Sequence, residues 1–150
     1  MDPDDELHAI EAIKHVKARY WRAVDHKDAV LLRSVFCDPC LIDFRGSVGG
    51  EPSDAQLWRD PDRFCADMVA STVGLVTVHH GFPPEITILS VHEANAIWPM
   101  EDLLWNQNPS AALPFCHFHG WGYYHDAYRK TPDGWRIAET RIARIQIEAQ

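Results

Sequence analysis

The sequence predicts an α+β fold in which helices come first and a sheet of successive strands follows. Three observations carry that prediction. Ile10, Ile13, Val16, Tyr20 and Val24 recur at three- and four-residue spacing near the N-terminus, as the buried stripe of a helix requires. From Pro84 onward, β-branched and aromatic residues gather in four runs. The triplet Pro132-Asp133-Gly134 is a hairpin turn joining the last two of them.

The first helix has Asp4 or Asp5 placed to cap it and ends near Asp25. A second, short helix covers Ala29 to Phe36. A turn at Asp38-Pro39 then leads into a strand near Cys40 to Phe44, which Gly46, Gly49 and Gly50 end. Asp60-Pro61-Asp62 starts a third helix with Phe64, Met68 and Val69 on its inner face. Strands are expected over Pro84 to Val91, Ala94 to Trp105, Phe115 to Arg129 and Trp135 to Ile147, with one long polar interruption from Asn106 to Pro114.

At 150 residues the chain reads as one domain, 1-150, long enough to bury roughly two thirds of its unfolded surface. A net charge of -8, with 22 acidic against 14 basic residues, argues against nucleic acid as a partner. No apolar run approaches the ~20 residues that span a bilayer, so no membrane association is expected. The acidic N-terminus lacks the features of a signal peptide, and the expected location is the cytoplasm. Of four cysteines, only Cys37-Asp38-Pro39-Cys40 has a suggestive spacing. No second pair follows it at finger-like distance, and the thiols read as structural.

The chemistry centres on Thr77-Val78-His79-His80-Gly81. Alternation along a strand sends one of the two imidazoles to the buried side, and a buried histidine needs a partner. Asp25, near the last turn of the first helix, is the candidate, and the negative end of the helix dipole there is expected to raise its pKa. In the strand from Ala94, Asp102 shares a row with Ala96, Trp98, Met100 and Leu104, so it needs either a raised pKa or a cationic partner. In the last strand the row Trp135, Ile137, Glu139, Arg141 offers Arg141 as that cation, with Arg144 on the opposite face unless a bulge intervenes. His117, His119 and His125 share one face of the preceding strand. Two of them can ligate a metal, but no further ligand is fixed by spacing, and no metal is assigned. Gly120 and Gly122 leave space on the other face, as a pocket floor would. The aromatic residues Trp21, Trp98, Phe118 and Tyr124, with Trp121, suit a flat, largely apolar substrate.

Tyr20 with Asp25, Thr77-Val78-His79, Trp98-Pro99-Met100-Glu101-Asp102, the run Gly122 to Arg129 and Asp133-Gly134-Trp135-Arg136-Ile137 together resemble the SnoaL-like family of the nuclear transport factor 2-like superfamily, on its scytalone dehydratase and bile acid 7α-dehydratase branch. The resemblance spans nearly the whole chain. It implies a cystatin-like curved antiparallel sheet folded into a cone that N-terminal helices close. It further implies Asp25 and His79 as an acid-base dyad, supported by Tyr20, by Asp102 and by a late arginine, for which Arg141 competes with Arg129 and Arg144. The activity implied is that of a lyase or isomerase of dehydratase type acting on a cyclic hydroxy-ketone such as a steroid or polyketide. No cofactor is expected, because proton abstraction and leaving-group departure are acid-base steps. The alternatives are a small-molecule binding module without chemistry and the small subunit of a ring-hydroxylating oxygenase. A homodimer or homotrimer, formed through the outer face of the sheet, is the expected assembly.

Overall fold

The computed structural model describes residues 2–150. Helix α1 runs Pro3–His26. Its N-cap is Asp2, whose carboxylate accepts from the Asp4 N–H at 3.0 Å, two residues before the nearer of the expected caps, because Pro3 takes the first helical position. Asp4 and Asp5 fall in the first turn instead, where the dipole favours acids. The helix stops at Lys27, whose left-handed φ of 55° turns its N–H back onto the carbonyls of Ala23 and Val24.

Helix α2 (Ala29–Ser34) is capped by Asp28 and is shorter than its apolar run suggests. Phe36 opens strand β1 (Phe36–Asp43) rather than closing that helix, because it pairs with Ile137 across the sheet. Strand β2 (Leu57–Trp58) and helix α3 (Pro61–Thr72, capped by Asp60) come next. The rest is sheet: β3 (Leu75–Gly81), β4 (Glu85–Ile88), β5 (Glu93–Asn106), β6 (His117–Thr131) and β7 (Gly134–Ala149).

The strands lie in the order β2-β1-β7-β6-β5-β3, with β4 paired to β5, so the sheet stays open at β2 and β3. All pairs are antiparallel except β1 with β7. The inner face of the sheet, α1 and α3 enclose the core. There Tyr20, Phe36, Phe44, Phe64 and Tyr124 meet edge to face, with ring centroids 5.4–6.2 Å apart.

Two local features set how side chains are placed on the inner face. Ala127 pairs with Glu139 and Tyr128 with Ile137, so Ala138 is an extra residue, a bulge in β7. Trp135 and Ile137 face the core before it; Thr140, Ile142 and Arg144 face inward after it. The second is Gly81 at the end of β3, where the Trp21 ring occupies the place a Cβ would take.

Beneath the sheet, Lys17 is wholly buried and its Nζ lies 2.8 Å from Asp126 Oδ2. Tyr128 and Thr140 donate to the same carboxylate at 2.8 and 2.6 Å, and Trp98 Nε1 donates to the Tyr128 hydroxyl at 3.1 Å. The ammonium also stands 3.6 Å from the Tyr124 ring centroid. Such a pair is tolerated in the interior because the carboxylate finds further donors beside the ammonium.

Candidate active site

A cavity of about 650 Å³ lies between the inner face of the sheet, α1 and α3. Tyr20, Asp102, Phe118 and Tyr124 form its buried end, Phe44, Trp58, Leu104 and Ile142 give apolar walls, and Ala55, Ser71, Ser110 and Ala112 stand exposed at its rim. An enclosed, mostly apolar space with a few converging polar groups is what a small-molecule site needs.

Asp25 and His79 meet beside this cavity. His79 turns inward on β3 and His80 turns out to pair with Glu101 on the outer face. Nδ1 of His79 lies 2.7 Å from Asp25 Oδ1. The His79 backbone N–H donates to Asp25 Oδ2 and the Thr77 hydroxyl to Oδ1, each at 3.0 Å. Two hydrogen bonds thus join residues fifty-four positions apart, and a third ties Asp25 to Thr77 on the same strand. Burial alone would raise the Asp25 carboxyl, but the hydrogen bonds and charge of His79, together with Thr77, hold it below its ordinary value of 3.8. The direction is the reverse of that expected from the helix dipole, since three short-range donors outweigh a partial charge at a helix end. A carboxylate at that place accepts a hydrogen from Nδ1, so in the neutral ring it is Nε2 that keeps the lone pair.

Asp102 stands opposite His79 in the β3–β5 register, and its Oδ2 is 3.9 Å from His79 Nε2. The cationic partner it requires is Arg144, which binds it with both ends of the guanidinium, Nη1 to Oδ1 at 2.6 Å and Nη2 to Oδ2 at 2.8 Å. Arg144 Nε also donates to the Ser47 carbonyl at 2.7 Å. Gly120 is the floor beneath this pair: a Cβ there would come within 2.5 Å of Arg144 Nη1 and 2.6 Å of Asp102 Oδ1.

Arg141, expected in this role, is instead exposed on the outer face near Asp43 and His125, because the bulge at Ala138 reverses the alternation of β7. Arg129 is exposed as well. Tyr20 and Tyr124 both reach the buried end of the cavity, where burial raises both phenols far above their ordinary range. They remain protonated donors. Phe118 and Tyr124 lie on the cavity wall, whereas Trp21 and Trp98 do not. Those two indoles pack edge to face against each other at 5.5 Å beside α1, where Trp21 covers Gly81 and Trp98 joins the Lys17 network. Trp121 lies on the outer face, stacked on His119 at 3.7 Å.

Three polar contributors escaped the sequence reading. Thr77 sits on the same alternating row as His79, a signal that was there to use. Lys17 lies four residues after Ile13 and three before Tyr20, on the apolar stripe of α1, where a lysine calls for a buried acid. Ser47, which serves through its backbone carbonyl, left no signal in its side chain.

The fold is thus a curved, open sheet with Asp25 and His79 in contact beneath the N-terminal helix. Residues 5–141 match the SnoaL-like domain, and the chain belongs to that family. Among solved structures, a candidate scytalone dehydratase from Novosphingobium aromaticivorans superposes with a TM-score of 0.81 at 16% identity, covering 98% of this chain and 91% of that one. A type 2 hexachlorocyclohexane dehydrochlorinase gives 0.78 at 15% identity, over 97% and 91% of the two chains. A candidate aromatic ring hydroxylase, also from Novosphingobium aromaticivorans, gives 0.77 at 13%, over 96% and 94%. At these identities the likeness is one of fold. Among the described residues, no helix is long and apolar enough to cross a membrane.

Proposed function

We propose that the protein is a cofactor-independent lyase or isomerase of dehydratase type, acting on a cyclic, largely apolar hydroxy-ketone such as a steroid or polyketide ring. The observation that supports this reading is the pose of His79: Nδ1 is tied to Asp25 at 2.7 Å while the ring lines the cavity, which leaves Nε2 as a base. Nε2 takes the proton from the carbon next to the substrate carbonyl. The imidazolium then stands between two carboxylates, Asp25 at 2.7 Å and Asp102 at 3.9 Å. The carbonyl oxygen gains charge as the proton leaves, and the phenols of Tyr20 and Tyr124 are the donors available to it. As the enolate reforms its carbonyl, the β carbon–oxygen bond breaks. The departing hydroxide takes the proton held by His79, giving water and a conjugated enone. Returning that proton to carbon instead would give an isomerase.

The reading is tested with a panel of cyclic β-hydroxy ketones, following the ultraviolet absorbance of the enone. The parent protein should form enone from at least one of them, and His79→Ala should reduce the rate by about a hundredfold or more. A parent that binds these ketones and forms no enone would overturn the reading in favour of a binding module.

A further inference from the structure

We propose that the cavity selects uncharged ring molecules, and that Asp102 sets this selectivity by occupying Arg144; the inference rests on the cavity being the substrate site. Arg144 is, among the described residues, the one lysine or arginine on the cavity wall. On position alone it would be the anchor for a carboxylate or phosphate group on a ligand. Its guanidinium is already committed, with two bonds to Asp102, one to the Ser47 carbonyl and a weaker contact from Nη1 to Met100 Sδ at 3.6 Å.

The carboxylates of the site are committed in the same way. Asp25 holds its three donors. Asp67, nearer the rim, accepts from Trp58 Nε1 at 2.9 Å and pairs with Arg63 at 2.9 Å. A charged ligand of either sign would therefore lose its hydration at the buried end without gaining a free partner, and desolvating an unpaired ion is strongly unfavourable. An anion fares worse still. While His79 is neutral, Asp25 and Asp102 outnumber Arg144, so the buried end carries negative charge in excess. A ketone or hydroxyl loses little by comparison, and the protonated phenols of Tyr20 and Tyr124 can meet its oxygen.

Two probes of one shape test this: 2-naphthol and 2-naphthoate, titrated calorimetrically near neutral pH into the parent protein and into Asp102→Asn. The parent should bind the naphthol at least tenfold more tightly than the naphthoate. Asp102→Asn frees the guanidinium and should tighten naphthoate about tenfold or more, a charge-assisted hydrogen bond being worth that much. Adding Arg144→Gln should remove the gain. Equal or tighter binding of naphthoate by the parent overturns the proposal, as does binding of neither probe or an Asp102→Asn protein that gains nothing. If that variant does not fold, the parent's own preference decides. The readout is binding, so failure here leaves the elimination chemistry standing. A parent that shows the preference but forms no enone refutes the chemistry alone.

Discussion

Asp25 accepts three hydrogen bonds from a single strand, and this fixes both where His79 points and which of its nitrogens stays free. Replacing it with asparagine keeps the shape and removes the charge that the imidazolium would lean on. Asp25→Asn should therefore lower the rate of enone formation by about a hundredfold or more while the ketones still bind, which steady-state kinetics would separate. The same carboxylate has a signature in stability. Its folded pKa lies below the ordinary 3.8, so its contribution is fully present above that value and is lost as pH falls through the folded value. Urea midpoints of the parent and Asp25→Asn should differ at neutral pH and converge in acid; parallel curves down to low pH would refute this. Lys17 is a residue of a different kind, wholly enclosed and opposite Asp126. Lys17→Met strands that carboxylate in the core and should cost about 3–5 kcal/mol, of which Lys17→Met with Asp126→Asn should recover part, as read from denaturant melts.

At the scale of the element, β7 is where alternation and geometry part company. A strict period of two runs from Trp135 through Arg141, and the inserted Ala138 breaks it, so that Arg144 reaches the cavity and Arg141 faces out. The neighbouring strand is shaped to receive the result. Gly120 on β6 lies under both members of the Asp102–Arg144 pair, leaving no room for even a methyl group. Gly120→Ala must push one of them aside, and because the pair is buried and held at both ends the push is not free. We expect a loss of about 1–3 kcal/mol in urea unfolding, together with weaker binding of ring ligands. An alanine variant as stable as the parent would show that the pair can shift without cost.

The whole molecule is an open sheet with one face spent on the core and cavity and the other left bare. On that outer face the cross-strand pair Val76 and Trp105 is 56% and 40% exposed, with Tyr123 a further aromatic at 36%. We propose that a second or third copy of the chain covers this face as a homodimer or homotrimer. Sedimentation at micromolar concentration should show the assembly, and a lone monomer there would remove the proposal. The candidate site was legible to the extent that it depends on local pattern. Helical spacing exposed α1 and put Tyr20 on its stripe, and alternation along the strand from Thr77 required one of His79 and His80 to face inward without saying which. The resemblance then joined His79 to Asp25. Sequence alone thus determined the order of helices and strands, the hairpin at Asp133-Gly134 and that one histidine of the His79-His80 pair turns inward, because each stems from the period of a single element and from the few residues beside it. Only the tertiary structure decided that Arg144 rather than Arg141 holds Asp102, that Trp21 and Trp98 belong to the core and not the cavity, and that the Asp25 carboxyl sits low. Those outcomes turn on a bulge, on how α1 lies across the sheet and on which donors meet a carboxylate, all of which are relations between elements that no period within one element contains.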